Sequence, residues 1–121
     1  MRKRQQQTKP GFFRWRRHRN YLYLSDDGKL VISGTGSIAD DAFAGNTKIT
    51  SVVISEGVTG IGSGAFTGCT NLTSVTIPEG VTVIDGMTFG NCTSLTSVTI
   101  PGTVTSIEVQ AFWNCSSLTS I

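Results

Sequence analysis

Residues 68–84 read GCTNLTSVTIPEGVTVI, and 23 positions later residues 91–107 read NCTSLTSVTIPGTVTSI. A chain that restates itself at a fixed period of about 20 to 50 residues folds as a stack of like units, each too small to bury its own apolar face. The shift of 23 aligns apolar columns through most of the sequence. Ile49, Leu72, Leu95 and Leu118 form one, Val52, Val75, Val98 and Ile121 a second, and Ile54, Ile77 and Ile100 a third. Val58, Val81 and Val104 form a fourth, Ile38, Ile61, Ile84 and Ile107 a fifth, and Phe43, Phe66, Phe89 and Phe112 a sixth.

At 121 residues the chain is one domain at most. The repeat makes it a solenoid rather than a globule, in which each turn is buried only by the turns before and after it, so that about three turns or more are needed for stability. Four phenylalanine positions meet that minimum.

One turn can be derived from its residues. In LTSVTIP, Val75 and Ile77 alternate with Ser74 and Thr76, the period of a strand with an apolar inner and a hydroxylated outer face. Pro78, which has no N–H to donate, ends the ladder, and Gly80 turns the corner. VTVI and VTSI are again extended. The stretches at residues 62–69 and 108–115 are too short for a full helix and are read as one loose helical or 3₁₀ turn that drops the phenylalanine inward. Residues 21–38, YLYLSDDGKLVISGTGSI, carry a strong hairpin signal in SDDGK between two β-type runs.

The run Leu72-x-x-Val75-x-Ile77 fits the opening L-x-x-L-x-L of leucine-rich repeats. With LTSVTIP, GVTxI and AFxGC in a 23-residue unit, the chain resembles the BspA-like, or treponemal-type, leucine-rich repeats of bacterial surface proteins. The resemblance covers residues 21–121; Thr88 stands where the family has alanine, and Gly57, Gly80 and Thr103 stand where ordinary leucine-rich repeats have asparagine. It implies a β-rich repeat solenoid, a right-handed leucine-rich-repeat superhelix of ~23-residue turns, each with a short strand and a loose helical turn. The expected organisation is a basic, disordered tail over 1–20, capping strands and a degenerate first repeat over 21–45, and repeats over 46–121. The far end is expected to be uncapped, as in a piece of a longer array. The resemblance further implies a noncatalytic module for protein binding and adhesion at a cell surface or after secretion, with a protein ligand such as a host surface or matrix protein.

Nothing in the residues points to an enzyme. The one histidine, His18, lies outside the repeats, and the acids are scattered in turns, so no base, nucleophile and cleft converge. Cys69, Cys92 and Cys115, also 23 apart, fit no zinc or redox spacing and read as small buried hydrophobes. A strained disulfide between adjacent rungs is not excluded by geometry. No metal and no cofactor are expected. GIGSGAF and SGTGSI do not complete a phosphate-binding glycine motif. The Asn-x-Ser/Thr triplets at Asn71, Asn91 and Asn114 follow from repeated Asn, Ser and Thr.

The outward hydroxyls remain. Ser51, Ser74, Ser97 and Ser120 form one ladder and Thr76 and Thr99 another; Ser51, Ser74, Thr76, Ser97 and Thr99 are the ligand-face candidates. A regular Ser/Thr array also suggests an ice-binding face as a remote alternative. Four strands give roughly 320 Å² of face, less than the ~800 Å² per partner of a standard interface. More turns, multivalent contacts, or end-to-end self-association through an open strand edge would compensate.

Charge divides the chain. Residues 2–19 hold eight basic side chains and no acid, while residues 20–121 hold two lysines against eight acids. Arg14, Trp15, Arg16, Arg17 and Arg19 are therefore candidates for weak polyanion binding, to nucleic acid or an anionic membrane; the bland reading of the segment is a disordered leader. It begins like a secretory signal but is not followed by the apolar stretch, so no signal peptide is visible.

Overall fold

The computed structural model describes residues 4–9, 12–17 and 19–119, with the backbone alone for the first two segments. Among the described residues eleven strands follow one another: β1 Arg4–Lys9, β2 Phe12–Arg17, β3 Asn20–Ser25, β4 Lys29–Gly34, β5 Gly36–Ile38, β6 Ser51–Ile54, β7 Val58–Ile61, β8 Ser74–Thr76, β9 Val83–Ile84, β10 Ser97–Thr99 and β11 Ser106–Ile107. Among these residues the main wall is a seven-stranded sheet in the order β1-β2-β3-β4-β6-β8-β10. Neighbours from β1 to β4 are antiparallel, and from β4 to β10 parallel. Stacked parallel strands are what a solenoid of about three turns, about 23 residues apart, requires.

Register follows the period. Ser74 pairs with Ser51 and with Ser97, and Val75 with Val52 and Val98, so like residues sit on like residues. Alternation then sends Val52, Ile54, Val75 and Val98 into the core, where all are buried. A second wall is made by β5 with β7 and by β9 with β11, both parallel. Between the walls Phe43, Phe66, Phe89 and Phe112 stack face to face, with centroids 5.3, 5.5 and 5.4 Å apart and planes within 12°. Phe66 and Phe89 are wholly buried, and Phe112 packs against the core at the last turn. Offset-stacked rings at this spacing add a favourable pair term to area burial.

The expected helical turn is absent among the described residues. Residues 62–69 form successive four-residue turns instead: the N–H groups of Ala65, Thr67 and Cys69 donate to the carbonyls three residues earlier. The alternate N–H groups, of Gly64, Phe66 and Gly68, donate to Gly86, Thr88 and Gly90 of the next turn. The cause is left-handed backbone in two columns 23 apart: Asp41, Gly64, Met87 and Gln110 have φ of 56°, 68°, 59° and 63°, and Gly45, Gly68, Asn91 and Asn114 have φ of 73°, 73°, 60° and 59°. A left-handed residue every fourth position interrupts a right-handed helix and frees every second N–H for the neighbour.

At the other end β3 and β4 form the hairpin that SDDGK encodes, with Leu24 opposite Leu30 and Gly28 at φ 90°. Only glycine fits there, because a Cβ at Gly28 would lie 2.3 Å from the Lys48 carbonyl. The sequence reading treats residues 1–20 as a disordered tail; the structure has strands at Arg4–Lys9 and Phe12–Arg17 that continue the sheet antiparallel.

Candidate functional site

The outward face of the main sheet is built by alternation along each strand. One register row runs Lys29, Ser51, Ser74, Ser97. The next runs Tyr23, Val31, Val53, Thr76, Thr99. The five predicted ligand-face residues thus fall in two adjacent rows, with Ser97, Thr76 and Thr99 exposed and Ser51 and Ser74 half-buried. Ser120, named in the serine ladder, lies outside the described residues, as do Ile121 and His18.

Val53, which interrupts the hydroxyl rows, is half-buried on the same face, and so are Tyr21, Tyr23 and Val31, which were missed. The signal was present: YLYLS and KLVIS alternate as LTSVT does, and continuing that alternation past the repeats finds them. An open groove of ≈380 Å³ on this face is lined by Tyr23, Ser25, Asp27, Lys29 and Val31. Within it the Ser25 hydroxyl, and then the Lys29 N–H, donate hydrogen bonds that hold the Asp27 carboxyl below its ordinary value.

Along the strand entrance runs a ladder that sequence reading also missed. The hydroxyls of Thr73, Thr96 and Thr119 donate to the carbonyls of Thr50, Thr73 and Thr96 at 2.8, 3.1 and 3.0 Å. The N–H groups of the same residues donate to the same carbonyls at 2.8, 3.0 and 3.1 Å. Thr50 begins the series with a 2.8 Å bond to the Asp27 carbonyl. Each carbonyl thereby uses both lone pairs, which locks the rise between turns.

The cysteines form an inner column. Their thiols donate to the carbonyl of the phenylalanine one turn back: Cys69 to Phe43 at 3.2 Å, Cys92 to Phe66 at 3.2 Å and Cys115 to Phe89 at 3.1 Å. All three are free thiols, Cys69 and Cys92 buried and Cys115 half-buried. Burial pushes Cys69 up to about 11 and Cys92 up to about 12, and raises Cys115. Such thiols pack and hydrogen-bond but make poor nucleophiles. Thr88, which replaces alanine beside Phe89, is fully buried, its hydroxyl 2.8 Å from the Asp85 carbonyl.

The basic candidates divide by register. Arg14 is opposite Tyr23 and Arg16 opposite Tyr21, whereas Trp15 is opposite Leu22 and Arg17 opposite Asn20. Arg19 is exposed between β2 and β3, and its carbonyl accepts the Thr35 N–H at 3.0 Å. The second wall has its own open groove of ≈380 Å³, with Asp40, Asp85, Ser37, Thr59 and Thr82 among its lining. Large exposed apolar side chains gather in the last turn: Ile107, Val109 and Trp113 are 49, 79 and 51% exposed. Among the described residues no three His, Cys, Asp or Glu side chains gather as a metal site, and no helix is long and apolar enough to cross a membrane.

Comparison with known proteins fits this geometry. The profile of the BspA type Leucine rich repeat region (6 copies) matches residues 33–121. Among solved structures, a leucine-rich repeat protein from Eubacterium ventriosum is 27% identical with a TM-score of 0.66, over 86% of this chain and 38% of that one. A leucine-rich repeat protein from Bacteroides ovatus is 26% identical with a TM-score of 0.68, over 98% of this chain and 35% of its own. A leucine rich cell surface protein from Faecalibacterium prausnitzii shares the fold at 22% identity and a TM-score of 0.50, over 83% of this chain and 46% of its own. The chain therefore spans 38% and 35% of the lengths of the first two. A search of curated proteins gives no match. Leucine-rich repeats of this kind are typically protein-interaction modules and generally not enzymes. With its 23-residue turns, its phenylalanine spine and a profile match over most of its length, this chain belongs to the BspA-type leucine-rich repeat family.

Proposed function

We propose that the chain is a protein-recognition module working at a bacterial cell surface, and that the partner docks on the outward face of the main sheet. The observation that carries this reading is the continuity of the rows: Tyr23, Val31, Val53, Thr76 and Thr99 cross five strands in unbroken register. Such a row offers aromatic and β-branched surface at little entropic cost, framed by the serine hydroxyls of Ser51, Ser74 and Ser97. The antiparallel strands enlarge the platform to roughly 500 Å², closer to the ~800 Å² per partner of a standard interface than the repeats alone provide. Membership of a family of interaction modules supports the class of function, and the surface location of the Faecalibacterium protein supports the place.

The test is a binding screen of the full chain against extracellular and matrix proteins, followed by Thr76→Arg and Thr99→Arg. Loss of the captured partner, with unfolding unchanged, is the expected result; undiminished binding would move the site off this face. Protease treatment of intact cells checks location, since a surface protein is cleaved before lysis and an internal one only after it.

A further inference from the structure

We infer that the N-terminal part of the outward sheet face binds single-stranded nucleic acid, with Arg4, Arg14 and Arg16 meeting phosphates and Tyr21 and Tyr23 meeting bases. The register brings these residues together although they are far apart in sequence. Arg4 is opposite Arg16, Arg16 opposite Tyr21, and Tyr21 opposite Ser33, in one row across four strands. Two residues along, Gln6 is opposite Arg14, Arg14 opposite Tyr23, and Tyr23 opposite Val31. Cations and aromatic rings in neighbouring rows of a sheet are the arrangement by which single strands are held without sequence preference, phosphates by charge and bases by stacking.

The groove beside these rows suits a base. Its ≈380 Å³ is bounded by Tyr23 and Val31, with the exposed Lys29 on the same row of strands. The Asp27 carboxylate in the same lining adds an acceptor for an exocyclic amino group, the role carboxylates play toward cytosine. Lipid is disfavoured as the ligand by the same register. Of the three apolar residues of β2, Phe13 and Trp15 are opposite Leu24 and Leu22, in the rows that supply the core, and Phe12 alone falls in the register of Arg14 and Arg16, opposite Ser25. One apolar residue in those rows is far short of the continuous apolar face by which a segment inserts among acyl chains. The inference shares Tyr23 and Val31 with the protein-binding reading but does not rest on it, and the two are tested apart: Thr76→Arg and Thr99→Arg probe that reading, Arg14→Gln and Tyr21→Leu this one.

The experiment is fluorescence anisotropy of the full chain with a labelled short oligodeoxycytidylate over a salt series. Three phosphate contacts predict a slope of log affinity on log salt of about −2. Arg14→Gln and Arg16→Gln should each weaken binding severalfold or more, whereas Arg17→Gln, which removes the same charge from the other row, should have a much smaller effect. Tyr21→Leu and Tyr23→Leu should each cost about tenfold against the oligonucleotide and nothing against heparin, while Tyr→Phe at both positions retains binding and guards against misfolding. Equal losses for Arg16→Gln and Arg17→Gln would show a segment acting by net charge and overturn the proposal. So would tyrosine variants that bind as well as the parent, tighter binding to phosphatidylglycerol vesicles than to the oligonucleotide, or no binding at low salt.

Discussion

Thr96 donates twice to one atom: its N–H lies 3.0 Å and its hydroxyl 3.1 Å from the Thr73 carbonyl oxygen. Thr73 does the same to Thr50, and Thr119 to Thr96. A ladder of doubly satisfied carbonyls does in this chain what a stacked amide side chain does elsewhere: it ties each turn to the previous one where the strand begins. Thr73→Val or Thr96→Val keeps the β-branched shape and deletes the side-chain bond. Each should lower unfolding free energy by about 0.5 to 1.5 kcal/mol, read as a shifted urea midpoint. A double variant should lose the two effects summed or more, because adjacent rungs share Thr73.

The ring spine predicts a gradient. Phe89 is fully buried between two neighbours, 5.5 and 5.4 Å away, whereas Phe112 is half-buried with a ring on one side. Phe89→Ala should cost ~3 to 5 kcal/mol, and Phe112→Ala clearly less, by denaturant unfolding of the two variants side by side.

Thiol chemistry follows burial. At pH 8 a maleimide should label Cys115 first and leave Cys69 and Cys92 untouched until the chain unfolds, since both of these are buried and pushed up to about 11 and about 12. The sign for stability is that of an acid kept neutral by folding. Below the ordinary value of 9.0 both states are protonated and the contribution is complete. As pH rises further the unfolded chain loses its protons first, so stability drains between pH 9.0 and about 12. Cys92→Ala should flatten that decline in a series of urea midpoints; an identical decline would refute the assignment.

Left-handed backbone offers a stabilising change. Gln110 at φ 63° and Met87 at φ 59° occupy the column where Gly64 sits at 68°. A side chain there costs roughly 1 to 2 kcal/mol against glycine, partly offset by the greater freedom glycine has when unfolded. Gln110→Gly, at an exposed site, should therefore raise the urea midpoint without altering its slope.

The fold was legible because a 23-residue period leaves few alternatives: columns such as Ile49, Leu72 and Leu95 can all be buried only if turns stack in register. The helical turn was misread because Met87 and Gln110 are good helix formers by type, and nothing in a side chain announces that the backbone beneath it is left-handed. At the N-terminus, charge masked pattern. Phe13-Arg14-Trp15-Arg16 alternates as a strand does, but three arginines among the six residues of β2 draw attention to solubility rather than period. In the candidate site, Ser74 and Thr76 were legible from alternation alone. The threonine ladder was not, because Thr73 reads as an ordinary strand former until the carbonyl it caps, 23 residues earlier, has a position.

The claim on which the rest stands is that residues 23 apart lie side by side. Nuclear Overhauser contacts in an isotopically labelled full chain measure this most directly. The account predicts cross-strand contacts joining the backbone protons of 52 to 75 and 75 to 98, and ring contacts joining Phe66 to Phe89. Contacts at another spacing, or rings of Phe66 and Phe89 that meet different partners, would contradict it.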